Sequence, residues 1–319
     1  MTTLNKKTLI WIALIAVYLI WGSTYLAIRY VVETIPPFIG MSMRFISAGV
    51  VLYIWRIFKG DSVPTRRQWR DTGIIGLLLL VGGNGIVSWA EQFVPSGIAA
   101  LLISTMPIWM VIIESLRRGG EKPKVKTVIG LILGFSGVAL MIGPGELSNE
   151  IGKLHPLGLI ALPTAALLWS LGSVYSKSAD LPSSSLMTTS AEMLIGSAGL
   201  FLVGTLRGEW SIFNFAAVTN ESWAGLLYLA IVGSLGGFVA YAYLLKNAPI
   251  SLVSTYAYVN PVIALLLGAW IAQESLDGRT IIAAVIILGA VILITTGKGR
   301  SKPTQPKPTS DSDEVVPST

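Results

Sequence analysis

Ten stretches of this chain stay apolar over roughly the twenty residues that a helix needs to cross a bilayer, and that feature removes most folds from consideration. Hydrocarbon supplies no hydrogen bonds. A backbone that enters it must satisfy its own N–H and C=O groups, as a helix or as a closed barrel. Barrel strands would read as short segments of alternating polarity, whereas these runs are continuous and rich in Leu, Ile, Val and Gly. They fall at 9–32, 38–57, 72–92, 96–116, 127–143, 157–178, 185–206, 222–246, 250–272 and 279–297. The predicted fold is all-α and polytopic, with about ten transmembrane helices. Only 13% of the 319 residues are charged, against about a quarter in soluble domains, and the mean hydropathy is +0.69. The first run is too long for a signal-peptide core and no small-x-small cleavage site follows it, so it reads as an uncleaved span. The last residues, 298–319, are Pro, Ser, Thr, Lys and Asp with almost nothing apolar, the composition of a disordered tail.

Basic residues set the expected orientation. With the N-terminus cytoplasmic, eighteen Lys and Arg fall on the cytoplasmic side, among them Lys6, Lys7, Arg66, Arg67, Arg70, Arg117, Arg118, Lys177, Lys246 and the tail. Four fall opposite (Arg29, Lys153, Arg207 and Arg279), and Arg44 lies inside a span. The bias puts both termini in the cytoplasm. The net charge of +6 is thus spent on topology and lipid headgroups; bases scattered over loops do not form a nucleic-acid face. The chain has no cysteine, which excludes disulfides, thiolate metal sites and cysteine nucleophiles. Its one histidine, His155, sits beside Pro156 and reads as a solvated loop residue.

The chain repeats itself. The stretch 248–268 is a span carrying Ser251, Ser254, Thr255, Tyr256, Tyr258 and Asn260, interrupted by Pro261, which bends a helix and frees a carbonyl. Pro249 and Pro261 are twelve apart (261 − 249), as are Pro95 and Pro107 (107 − 95). Gly82-Gly83 and Gly236-Gly237 share the same offset of 154 (236 − 82). Ser47-Ala48-Gly49 matches Ser197-Ala198-Gly199, and Gly22-Ser23-Thr24-Tyr25 matches Gly172-Ser173-Val174-Tyr175, both at 150 (197 − 47, 172 − 22). A first repeat over 9–143 and a second over 157–297 then lie either side of a periplasmic connector, 144–156, with a cytoplasmic start at 1–8. Five spans per repeat is an odd number, so the second copy enters the membrane upside down. The loop after residue 116 is basic and the loop after 272 is not, as opposite sides of a membrane require. Inverted repeats of this kind mark transporters that alternate between two openings.

Ionisable groups inside spans are costly and are functional or paired. Arg44 and Glu192 lie about two turns into twin spans, and both are expected to face the central space, as substrate contacts or as a structural ion pair or polar-network anchor. A protonatable Glu192 would give one route to proton coupling. Glu91 and Glu114 sit near span ends, where snorkelling to water is easy. Trp21, Tyr25, Asn84, Trp169, Tyr175, Tyr256, Tyr258 and Asn260 complete the predicted cavity lining, with Pro107 and Pro261 as hinges. Partners are a small-molecule substrate and membrane lipid, with no nucleic acid and no cofactor, in a monomer or homodimer. The rival class is a membrane-embedded enzyme acting on a lipid-linked substrate. It would need clustered carboxylates or a His-based metal motif, and no His-Glu-x-x-His or Asp-rich cluster is present.

Leu19-Ile-Trp-Gly-Ser-Thr-Tyr25, Met43-Arg-Phe-Ile-Ser-Ala-Gly49, Gly82-Gly-Asn-Gly85, Val94-Pro-Ser-Gly-Ile-Ala-Ala100 and Ser254-Thr-Tyr-Ala-Tyr-Val-Asn-Pro261 resemble the EamA family of the drug/metabolite transporter superfamily. The likeness covers about residues 5–298. It implies ten helices in two inverted five-helix repeats, a bacterial inner-membrane location, and export of amino acids, other metabolites or drugs. It places Trp21, Arg44, Pro107, Trp169, Glu192 and Pro261 on the central helices.

Overall fold

The computed structural model describes residues 5–94, 96–142, 156–271 and 278–296. His155, Pro95, most of the connector, the loop before Gly278 and the tail lie outside the described residues. Among those described there are helices and no strands. Ten rods follow the ten predicted spans: α1 (Lys6–Thr34), α2 (Pro37–Phe58), α3 (Arg66–Ala90), α4 (Ser96–Ile103 followed by Met106–Leu116), α5 (Val125–Ile142), α6 (Pro156–Tyr175), α7 (Ser185–Leu206), α8 (Asn220–Asn247), α9 (Ile250–Val253 followed by Tyr256–Ile271) and α10 (Gly278–Thr296).

Local chemistry sets the ends. Pro36 and Pro37 cannot extend α1, and Pro37 opens α2, where its missing N–H would be unpaired anyway. A capping box of Thr65 and Gln68 starts α3, and Ser184 and Thr219 accept backbone N–H bonds at the starts of α7 and α8. The N-terminus of α2 is also capped from afar. Glu209, in a one-turn helix after α7, accepts from the backbone of Phe38 at 3.3 Å and Ile39 at 2.9 Å. A carboxylate belongs there, because the helix dipole is positive at that end. On the opposite end of the bundle the Arg56 guanidinium holds Asp61 at 2.6 and 2.8 Å and keeps its carboxyl below the usual carboxylate range.

The two halves are related by inversion. Equivalent helices α2 and α7 pack against each other: Ser42 Oγ donates to the carbonyl of Ser197, while a Cβ added at Gly49 would meet Met193 Cβ at 3.0 Å. Numbering rises along α2 as it falls along α7, so the pair is antiparallel. The equivalents α5 and α10 behave alike, Gly130 facing Ile294 and Gly137 facing Ile287. A rotation that superposes a helix on its antiparallel twin turns the whole half over, which is the inverted repeat. Further contacts cross between the halves in matched pairs: α1 on α8 and α6 on α3, α1 on α9 and α6 on α4. Glycines let these helices approach closely, as membrane packing without a hydrophobic drive requires. The bundle exterior is correspondingly apolar, with Ile12, Ile15, Leu19 and Leu26 exposed on α1 and Ile282, Val285 and Ile292 on α10.

The structure moves one predicted equivalence. In both halves the fourth rod is broken at a Ser-Thr pair, Ser104-Thr105 and Ser254-Thr255, spaced by 150 (254 − 104). Each threonine hydroxyl donates to the carbonyl three residues back (2.7 Å to Leu102, 2.6 Å to Leu252), which tightens the turn. Pro107 opens the piece after its break, whereas Pro261 lies inside its own piece. The twelve-residue proline spacing therefore reflects a first piece that is a turn longer in α4 than in α9, and the prolines are not structural twins.

Candidate functional site

The centre of the bundle is a layer of rings. Trp21 of α1 packs against Trp169 of α6 (5.5 Å between centroids), Phe238 (5.1 Å) and Tyr241 (4.9 Å) of α8, and Tyr256 of α9 (5.1 Å). The Trp169, Phe238 and Tyr256 contacts are edge-to-face and the Tyr241 contact is tilted; edge-to-face pairs each contribute about 0.5–1.5 kcal/mol beyond area burial. Hydrogen bonds fix the rings: Trp21 Nε1 donates to the carbonyl of Gly233 (3.2 Å), Trp169 Nε1 to the Tyr241 hydroxyl (2.9 Å), and that hydroxyl meets Ser173 Oγ at 2.7 Å.

Two π-helical segments frame the layer, Leu77–Gly85 within α3 and Leu229–Phe238 within α8. They occupy equivalent places in the two halves, and each contains a Gly-Gly pair. π-segments widen a helix and leave carbonyls misaligned, which is why they recur at functional sites. Trp169 lies on Gly83, where an added Cβ would come within 2.5 Å of the ring, and Trp21 lies on Gly237 in the same fashion. Each half thus rests a tryptophan on the other half's π-segment.

On one side of the layer lies a cavity of about 70 Å3, room for several waters at 10–15 Å3 each. Its walls include Trp21, Thr24, Tyr25, Arg44, Asn84, Trp169, Phe238, Tyr256 and Asn260. Arg44 is 2% exposed. Its Nε donates to Ser234 Oγ at 2.9 Å and one terminal nitrogen approaches Asn84 Oδ1 at 3.5 Å, so it ties both π-segments together. The guanidinium also stacks near Phe45, 4.6 Å from the ring centre. No carboxylate lies within ion-pair distance of it among the described residues. Asn260 Oδ1 is buried and accepts no hydrogen bond. A buried cation without a counterion and an acceptor without a donor are both expensive in an apolar interior, and a polar ligand would relieve both.

On the other side lies a larger cavity of about 320 Å3. It is lined by Glu192, Thr188, Ser176, Lys177, Lys246 and the 181–185 segment, and it shares Phe238 with the first. The two cavities point to opposite ends of the molecule. At the Glu192 end α3 contacts the α6–α7 loop, Asp180 N donating to Asp71 at 2.8 Å and Gln68 to the carbonyl of Leu181. At the Arg44 end, Thr34 of α1 donates to Ser222 of α8 at 2.7 Å.

Seven predicted lining residues meet at the Arg44 cavity: Trp21, Tyr25, Arg44, Asn84, Trp169, Tyr256 and Asn260. Glu192 does not join them; it faces the second cavity, and Arg44 and Glu192 form no ion pair. Tyr258 points away, donating to the carbonyl of Leu131 at 3.1 Å in the packing of α9 on α5. Tyr175 sits at the end of α6 beside Asp71 and Arg70. Glu114 does not snorkel: it is 2% exposed and pairs with Arg117 at 2.8 Å and Lys177 at 3.6 Å. Glu91 does not snorkel either, since both carboxylate oxygens are buried. Phe238 and Ser234 join the site with no sequence motif of their own; their closeness to Gly236-Gly237 is the one signal they carry.

Comparison with known proteins agrees with this architecture. The sequence matches the EamA-like transporter family model over 7–143 and again over 156–296, once per half. It is 37% identical to the uncharacterized inner membrane transporter YedA of Escherichia coli (strain K12) over 292 residues, 90% of each chain. It is 26% identical to the uncharacterized transporter YoaV of Bacillus subtilis (strain 168), covering 91% of this chain and 98% of that one. It is also 26% identical to protein PecM of Dickeya dadantii (strain 3937), over 93% and 96%. A crystal structure at 21% identity superposes with a TM-score of 0.73 over 89% of this chain and 96% of the other, which speaks to the fold alone.

Proposed function

We propose that this chain, which belongs to the EamA-like transporter family, is a secondary transporter that exports small organic metabolites (amino acids, related compounds or drugs) across a bacterial inner membrane by alternating access. Both termini lie in the cytoplasm on the charge bias above. The observation that carries the reading is the pair of cavities at opposite ends of an inverted repeat, divided by one aromatic layer. Inversion gives the two halves interchangeable roles, so the arrangement that seals one cavity can be mirrored to seal the other.

On this reading Arg44 and Asn260 hold polar groups of the cargo while Trp21, Trp169 and Tyr256 cover its apolar body. Glu192 receives cargo in the cavity beside the basic loops. The Ser-Thr breaks in α4 and α9 and the two π-segments supply the bending. The test is a metabolite and toxin-resistance screen comparing overexpressing with deletion cells. Overexpression should raise the extracellular level of at least one compound, or resistance to it, and deletion should do the reverse. Identical profiles across the screen would count against export.

A further inference from the structure

Glu91 is the one carboxylate among the described residues whose two oxygens are both buried without a hydrogen-bond partner. It caps the C-terminal end of α3, its N–H bonded back to the carbonyl of Val87. That end of a helix carries partial negative charge, so the dipole adds to the cost of a bare carboxylate. Cations are near but not bonded. Arg29 and Tyr25 of α1 interact with it electrostatically, and Arg207, after α7, stacks over Trp89 at 5.2 Å. No described Lys or Arg nitrogen lies within ion-pair distance of Glu91. Phe38 of α2 lies under Arg207, and Gly158 of α6 faces Phe93 and Val94, just past Glu91 in the chain. Tyr25 and Val87, the latter one turn before Glu91 on α3, line the Arg44 cavity, so Glu91 lies one helical turn beyond that cavity, at the end of the bundle opposite Lys177 and Lys246.

We propose that Glu91 is a proton-binding site, reached from the Arg44 end of the molecule, and that its occupancy sets how far the Arg44 cavity opens. The inference rests on the transporter reading for its purpose: an exporter driven by a proton gradient must collect its proton on the side where cargo leaves. Burial without a hydrogen-bond partner and the C-terminal end of α3 favour the neutral acid over the bare carboxylate, against the opposing charge of Arg29. A metal cation would need several oxygen ligands and would be repelled by Arg29 and Arg207.

Two measurements on the full chain in lipid test it without a cargo. In infrared difference spectra between acidic and alkaline pH, a protonated-carboxyl carbonyl band should be lost in Glu91→Gln, shifted in Glu91→Asp, and kept in Glu192→Gln. It should be the same in sodium chloride and choline chloride. A band untouched by Glu91→Gln, or one displaced by sodium, overturns the proton site. Because the chain has no native cysteine, a Val87→Cys variant reports opening through its labelling by an impermeant maleimide, normalised to an exposed Lys59→Cys control. That ratio should change with pH in the Glu91 background and lose its pH dependence with Glu91→Gln; a ratio flat in both overturns the coupling. A chain that passes both tests yet exports nothing in the screen would leave Glu91 a proton site and remove the transporter reading.

Discussion

Gly237→Ala tests the seat of Trp21 on the π-segment of α8. A Cβ at residue 237 would fall on Trp21 Nε1 and lie 2.8 Å from Cδ1, well inside ordinary contact. The neighbouring Gly236 is the control, since its added Cβ would meet only the flexible tip of Ile20, at 3.1 Å. Both changes gain helix propensity, about 0.5–1 kcal/mol, and that gain cancels in the difference. Gly237→Ala must also displace the indole, at about 1–3 kcal/mol for an overpacked core. Much of that is the bond to the Gly233 carbonyl, about 1 kcal/mol, and the ring contacts of Trp21, about 0.5–1.5 kcal/mol each. Equilibrium unfolding of the purified chain in mixed micelles, followed by near-ultraviolet circular dichroism of the tryptophans, should place Gly237→Ala about 1–3 kcal/mol below Gly236→Ala. Equal stability of the two variants would show that Trp21 is not held as described.

Three further outcomes follow from the same geometry. Arg44→Ala removes charge-assisted bonds worth about 1.5–3 kcal/mol each; flux in reconstituted vesicles should fall by about tenfold or more with expression little changed, and normal flux would defeat its role in the cavity. Tyr241→Phe strands the buried Trp169 N–H and should lower unfolding stability by about 1–3 kcal/mol, a loss that Tyr243→Phe, on the same helix, should not reproduce. Glu209→Ala uncaps α2 and should lower unfolding stability by about 1–2 kcal/mol, measured by the same unfolding experiment, with Glu209→Gln intermediate.

The rods were legible because lipid permits so few solutions: apolar length alone placed ten helices, and odd parity with loop charge inverted the second half. Cavity residues that are rare in spans, such as Arg44, Asn84 and Asn260, were legible for the same reason. What the sequence did not carry was the direction in which a side chain faces. Glu192 and Arg44 sit on packed antiparallel helices, yet they look into different cavities, because the ring layer passes between them. Tyr258 is two residues from Tyr256, and that step of about 200° around a helix turns it to α5. The π-segments were illegible because a wider helix has no composition of its own; Gly-Gly marked the place without naming the geometry. The Ser-Thr breaks are masked in the sequence because proline is the louder signal for a bend.

The most direct test of the inverted carrier is the sidedness of its two cavities. Single cysteines at Val87 and Thr188, in the otherwise cysteine-free chain, should be labelled by impermeant reagent from opposite faces of sealed vesicles. Val87→Cys should react from the face away from Lys177 and Lys246, and Thr188→Cys from the face that bears them. Labelling of both from one face would contradict two cavities arranged by an inverted repeat.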